Sequence, residues 1–221
     1  MTQPVLDLQP QKERAETFRA LHDAPPLVLA NAWDAGSAHL IAGAGATAIA
    51  TSSGAQSWAQ GLPDGHNLPI EDVLANVRRI AAVRSAADRY GVALFIHART
   101  DVFLFAVGEE PGRLDDVLAR AAAYREAGAD GIFAPGLLDP AALRRLADES
   151  GLKVNAMWLP GAPPVSDLAD AGVTRFSAGT AIAQVAYTAA RDAARALLDN
   201  GDDAALASSI DYFSMNGEFG G

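Results

Sequence analysis

The stretch "RAAAYREAGADGIFA", residues 120–134, closes a helix, turns on a glycine and opens a strand. Ala, Tyr and Glu before Ala127 suit a helix, Gly128 suits a left-handed cap, and "GIFA" is a short apolar run. The same order recurs in "AGATAI" (44–49) and "AGVTRF" (171–176). Repeated helix–turn–strand joints describe βα units and a parallel sheet. Working outward from them, strands are expected at 27–31, 47–52, 93–98, 131–134, 154–158 and 175–178, and helices at 36–44, 70–89, 114–127, 140–149, 166–171 and 181–200. The expectation is one α/β domain over residues 1–221, with an arm and helix in 1–24 and a tail in 201–221. A closed (β/α)8 barrel has eight strands, and six are found. Between Gly54 and Gly91 there is only a polar loop, "AQSWAQGLPDGHNLP", and one helix of roughly twenty residues.

Composition narrows the partners. The formal charge of −10, with no compensating Lys/Arg cluster, repels nucleic acid and anionic membranes. Absence of cysteine excludes a disulfide framework, a thiolate nucleophile and a Cys zinc site. No signal-like apolar core opens the sequence and no run of about 18 apolar residues occurs in it, so a cytoplasmic protein is expected. The two lysines are Lys12 and Lys153. Lys153 precedes its strand, at the end opposite a barrel's active site, which disfavours Schiff-base chemistry.

Candidate chemistry clusters at strand ends. In "FIHARTDVFLFAVGEE" (95–110), alternation places Phe95, His97, Arg99 and Asp101 on one side. Arg99 can offer a planar fork to a substrate carboxylate; the alternative is a structural ion pair with Asp101, which a same-face spacing of about 7 Å makes awkward. His97 lies deeper and reads as a hydrogen-bonded core histidine rather than a base. Ser52, Ser53 and Gly54 either bring backbone N–H groups to a ligand oxygen or form a tight loop with serine caps. Asp64, in "GLPDG", is a functional carboxylate or a turn residue. Asn155, in "KVNAMWLPG", points amide groups to the same side as Met157.

The phrases "NAWDAGSAHLIAGAGATAIATSSGAQSWAQGLPDG", "FIHARTDVFL", "RAAAYREAGADGIFAPG" and "VNAMWLPG" resemble the isocitrate lyase / phosphoenolpyruvate mutase superfamily, in particular its 2-methylisocitrate lyase-like and carboxyphosphonoenolpyruvate phosphonomutase-like branch. The resemblance runs through nearly the whole chain in order. It implies a (β/α)8 TIM-barrel type fold, Mg2+, and a lyase or mutase that makes or breaks a C–C or P–C bond of a small α-oxo or 2-hydroxy carboxylate through an enolate-like species. It further implies a homodimer or homotetramer with exchanged terminal helices. Ser52, Ser53 and Gly54 fall on the substrate-binding loop, Asp64 on a catalytic carboxylate beside the metal, Arg99 on the carboxylate-binding arginine and Asn155 on a pocket residue. His97 stands where the family carries Asn.

One departure is large. The family's third and fourth strands, with its acidic metal ligands, belong between two helices that here run together as "EDVLANVRRIAAVRSAADRYG". A break or irregular join is therefore expected around residues 79–82. A continuous helix there would favour the rival reading, a catalytically inactive relative used for ligand binding or oligomerisation. Hydrolysis of an oxo-acid or phosphonate is the other alternative.

Overall fold

The computed structural model describes residues 8–23, 26–59, 61, 71–207 and 209–219. In order these form α1 (Gln9–Ala20), β1 (Leu27–Ala32), α2 (Ala35–Gly43), β2 (Ile49–Thr51), α3 (Ser53–Ala59), α4 (Glu71–Tyr90), β3 (His97–Arg99), α5 (Arg113–Glu126), β4 (Gly131–Phe133), α6 (Pro140–Ser150), β5 (Lys153–Met157), α7 (Val165–Asp170), β6 (Val173–Ser177), α8 (Ala181–Asn200), α9 (Ala204–Ala207) and α10 (Tyr212–Phe219), with a 3-10 turn at Glu110–Gly112. The chain divides into two compact units: residues 1–28 with 67–177, and residues 29–66 with 178–221.

The first unit holds four parallel strands in the order β6-β5-β4-β3. One face of this sheet, Ala98, Ile132, Val154, Ala156 and Phe176, packs into a core with Val117, Ala121 and Tyr124 of α5, Leu143 and Leu146 of α6, and Leu168 of α7. Burying an aliphatic or aromatic side chain of this size contributes about 1.5–3 kcal/mol, so this face fixes the strand register. The joints behave as their sequences dictate: Gly45, Gly128 and Gly172 all have φ near +90°, where a side chain would be strained.

β3 is shorter than expected. The carbonyls of Ala93 and Leu94 accept from the Arg19 guanidinium at 3.3 and 2.7 Å, and the Ile96 N–H donates to the Asp130 carboxylate at 2.7 Å. Side chains from α1 and the α5–β4 joint thus take the backbone groups that a ladder would have used. Asp130 also pairs with Arg19 at 2.9 Å and Arg84 at 2.5 Å, joining α1, α4 and β3.

The chain is not broken at 79–82. α4 is one continuous helix of 20 residues, so the expected irregular join is corrected: "EDVLANVRRIAA" and "RIAAVRSAADRY" share a helical period and merge without a terminator.

The second unit pairs β1 with β2 in parallel, Ala30 beside Ile49 through Ala32 beside Thr51. Buried Asn31 accepts from the Gly179 N–H at 3.0 Å and donates to the Thr51 carbonyl at 3.1 Å. Asp34 and Ser37 form a capping box at the start of α2, and those bonds hold the Asp34 carboxyl below its usual range.

Candidate functional site

The register of the four-stranded sheet lines up Arg99, Phe133, Asn155 and Arg175 in one row. All four share the face opposite the helix-packed core: the Arg99 guanidinium lies 5.7 Å from the Phe133 ring centre, and Arg175 Nε donates to Asn155 Oδ1 at 2.8 Å. Asn155 Nδ2 in turn donates to Ser177 Oγ at 3.2 Å. Asn155 is 1% exposed and its amide is held at both ends, so it positions Arg175 and Ser177.

Arg99 does form the ion pair that strand spacing had disfavoured: its Nε donates to Asp101 Oδ1 at 2.7 Å. β3 ends at Arg99 and the backbone turns after it, so the fixed spacing along a strand no longer separates the two side chains. The pair is open, with side chains 46% and 28% exposed. The two Nη groups keep their donors free of partners among the described residues. Arg99 therefore remains able to offer its fork.

His97 is a core histidine but not a hydrogen-bonded one, which corrects that expectation. Both its ring nitrogens are buried without partners among the described residues. Its ring lies against Gly131, where a Cβ would meet Nδ1 at 2.4 Å, and packs beside Phe95, which stacks on His22 at 3.8 Å. Burial first, then the Arg175 and His22 charges, push the imidazole well below its ordinary range. It is neutral at pH 7, and neither ring nitrogen is open to solvent.

In the second unit, Ser52 is a cap: its Oγ accepts the Ala55 N–H at 3.3 Å and its carbonyl accepts the Gln56 N–H at 2.9 Å. Ser53 and Gly54 open α3 rather than a loop, with Ser53 exposed and Gly54 buried. Asp64 lies outside the described residues. The structure thus brings Arg99 and Asn155 into one row of the first unit, and Ser52, Ser53 and Gly54 to one helix start of the second.

Sequence reasoning missed Arg175. It stands on a strand, half-buried, with no carboxylate partner among the described residues. Burial pulls its guanidinium down to about 10, leaving it charged at neutral pH. The available signal was polar alternation in "VTRFS", blurred by a register shift between Val154 and Asn155.

A cavity of about 390 Å³ opens near the other end of the strands, lined by Arg19, His22, Asp23, Asp130 and Lys153 among others. Arg19 is taken by Asp130 and Lys153 by Asp23 at 3.2 Å, while Arg125, also in the lining, donates from Nη1 to the Ser150 carbonyl at 2.9 Å.

Mg2+ needs a set of oxygen ligands, usually carboxylates. No group of three His, Asp or Glu able to hold a metal occurs among the described residues, and Asp101 is engaged by Arg99. The described residues do not fit a Mg2+ site.

These features define an α/β protein of the TIM-barrel type whose sheet carries Arg99 and Arg175 in one row. The family described as phosphoenolpyruvate phosphomutase matches residues 18–85 and 75–198. The chain belongs to this family, within the phosphoenolpyruvate mutase/isocitrate lyase superfamily. Residues 75–85 lie in both matched stretches. Among solved structures, a candidate lyase/mutase from Burkholderia cenocepacia is 28% identical, with 96% of this chain and 97% of that one covered at a TM-score of 0.84. A candidate phosphonomutase from the same organism is 35% identical over 87% of this chain and 100% of its own, with a TM-score of 0.69. A phosphonopyruvate hydrolase, crystallised with oxalate and Mg2+, is 16% identical, covers 94% of this chain and 95% of its own at a TM-score of 0.69, and shares the fold.

Proposed function

We propose that this chain is a lyase- or mutase-type enzyme that binds a small α-oxo or 2-hydroxy carboxylate through Arg99 and makes or breaks a C–C or P–C bond next to it. The observation that carries this reading is Arg99 itself, a half-exposed guanidinium seated on Phe133 at the end of β3 with both Nη groups unengaged among the described residues. A planar fork meets a carboxylate through two charge-assisted hydrogen bonds. When the bond at the carbon next to the oxo carbon breaks, the electron pair left on that carbon spreads onto the oxo oxygen as an enolate, and a fixed cation nearby stabilises that charge without reorganising. His97, neutral and enclosed, takes no part in the proton transfer.

Mg2+ dependence is proposed on the family resemblance and on Asp64. One observation favours a second reading, ligand binding without turnover: α4 runs unbroken where the resemblance expects the metal-bearing strands. Calorimetry with oxalate, with and without Mg2+, combined with a screen of oxaloacetate, methylisocitrate and phosphonopyruvate for product release, separates the two. Turnover supports the enzyme; oxalate binding with no turnover supports the binder; pyruvate and phosphate from phosphonopyruvate would indicate a hydrolase. Failure to bind any of these acids refutes both carboxylate readings.

A homo-oligomer, dimeric or tetrameric, is part of the proposal, supported by exposed apolar residues in the second unit such as Leu198 on α8 and Phe213 on α10. Light scattering at micromolar concentration is expected to give a multiple of the 22.9 kDa chain mass. No described helix is long and apolar enough to cross a membrane, and a cytoplasmic location is proposed with the rest.

A further inference from the structure

We infer that the cavity at the strand starts of the first unit is a second ligand site, separate from Arg99, and that it takes a small phosphate monoester: the phosphate on Arg125 and Lys153, the organic group against Ala129 and Leu152. The inference stands apart from the Arg99 reading. Arg99 closes β3, whereas Ala129 precedes β4, Leu152 and Lys153 open β5 and Arg125 lies in the last turn of α5. In a parallel sheet the strand starts share the end opposite the strand ends.

The cavity measures about 390 Å³, within the range that encloses small organic ligands. Its lining carries three cations, Arg19, Arg125 and Lys153, against two carboxylates, Asp23 and Asp130, on a chain of formal charge −10. These groups are unequally committed. Arg19 is spent, since Asp130 and the carbonyls of Ala93 and Leu94 take all three of its nitrogens. Asp130 is spent as well, shared by Arg19, Arg84 and the Ile96 N–H. Arg125 is not. Its Nη1 donates to the Ser150 carbonyl at 2.9 Å, and its Nε and Nη2 have no partner among the described residues. A Cβ at Gly151 would meet Arg125 Nη1 at 2.8 Å, so the glycine leaves room for the guanidinium where it is anchored. Capping the end of α6 through one N–H would be served by a lysine; the open Nε–Nη2 edge is the fork that an oxyanion uses. Lys153 is held by two long contacts, 3.3 Å to the His22 carbonyl and 3.2 Å to the Asp23 carboxylate. That ion pair is exposed, 41% and 72%, and such pairs are weak, so a better anion displaces Asp23.

The arrangement favours phosphate over carboxylate. A carboxylate has two oxygens, and a single guanidinium fork consumes both. A phosphate monoester presents three oxygens around phosphorus and nearly two negative charges, so fork and ammonium bind different oxygens at once. Buried Ala129 and Leu152 give the ester group an apolar wall. Burial first, with the Arg175 and Lys153 charges behind it, lowers the His22 pKa, so the positive field reaches the buried side of the lining without a third titrating cation.

The test is titration calorimetry with phenyl phosphate, inorganic phosphate and benzoate on wild type, Arg125→Gln, Arg125→Lys and Asp23→Asn, with thermal melting to show that each variant is folded. Wild type is expected to bind phenyl phosphate about 10- to 100-fold more tightly than benzoate, which has the same body and no phosphate, the value of one charge-assisted hydrogen bond. Inorganic phosphate, lacking the body, should bind more weakly than the ester. Arg125→Gln should weaken phenyl phosphate by about 10- to 100-fold, Arg125→Lys should recover part of that, and Asp23→Asn should tighten binding by freeing Lys153. Saturating oxalate should not displace the ester. Unchanged affinity in folded Arg125→Gln, or displacement by oxalate, puts the ligand elsewhere and overturns the site. Equal affinity for benzoate or for inorganic phosphate overturns the ligand assigned, and unchanged affinity in Asp23→Asn overturns the part given to Lys153. No binding of phenyl phosphate by wild type at millimolar concentration overturns the inference as a whole. The Arg99 reading is decided separately, by oxalate.

Discussion

Replacing Arg99 by Gln separates a binding role from a structural one because the two predict losses of different size. In the fold, Arg99 has one ion pair with Asp101, half exposed, and one approach to the Phe133 ring. An exposed pair is worth about 0–1 kcal/mol and an exposed cation–π contact about 0.5–1 kcal/mol. The stability cost is therefore at most about 2 kcal/mol, and at roughly 2–4 °C per kcal/mol for a chain of this size Tm should fall by only a few degrees. In the ligand complex, two charge-assisted hydrogen bonds at about 1.5–3 kcal/mol each would be lost. At 1.4 kcal/mol per factor of ten, oxalate affinity should drop by roughly two to four orders of magnitude. Thermal melting and titration calorimetry on wild type, Arg99→Gln and Asp101→Asn give both quantities. Asp101→Asn removes the ion pair and keeps the fork on Phe133, so it should lower Tm no more than Arg99→Gln does and approach wild type in affinity. If the two variants lose Tm equally and neither changes oxalate binding, Arg99 is a structural partner and the site has been misplaced.

Three further outcomes follow from the same geometry. Asp130→Ala strips the partner from Arg19, Arg84 and the Ile96 N–H together and is expected to cost on the order of 3 kcal/mol in urea unfolding; a cost under about 1 kcal/mol would contradict the role given to that carboxylate. Gly131→Ala drives a methyl group to 2.4 Å from His97 Nδ1 and 2.8 Å from the Lys153 carbonyl, an overpacking worth about 1–3 kcal/mol; adding His97→Ala should recover part of it, and strict additivity would show that the ring is not the obstacle. Stability should fall as pH drops below 6.5, because both His22 and His97 are depressed from that value and the unfolded chain takes up protons the folded one refuses. The slope is up to about 1.4 kcal/mol per pH unit for each ring, with no contribution above pH 6.5 where both states are neutral; a Tm unchanged between pH 7 and 5.5 would refute the burial assigned to them.

What the sequence discloses and what it hides divide along range. The helix–glycine–strand joints are local, so Gly45, Gly128 and Gly172 could be read from three phrases and adopt the backbone those phrases require. α8 falls at 181–200 as its Ala-rich period indicates. The beginning of β3 is different: its backbone is claimed by Arg19, 74 residues away, and by Asp130, 34 residues away, and no local pattern records either claim. The "TSSGAQSWA" segment reads as a loop because Ser and Gly prefer turns; in the fold Ser52 caps and α3 follows. Alternation correctly put His97 and Arg99 on one face, yet extending strand geometry past Arg99 misjudged Asp101. Arg175 escaped for a related reason, since the register shift beside Asn155 breaks the period that would have set the two on one face.

The fused helix is where sequence, fold and chemistry meet. A helix is held by bonds within four residues, so joining two amphipathic segments in phase leaves nothing in the local physics to mark the lost strands. α4 accordingly continues through 79–82, and residues 75–85 lie in both stretches that match the family. The loss is chemical rather than mechanical. The core against α5, α6 and α7 persists, while acidic residues able to gather a metal do not appear among the described residues. What stays on the polar face is positive: Arg99 on Phe133, and Arg175 held by Asn155. Arginine cations at fixed positions can bind and orient an anion and stabilise charge developing on it.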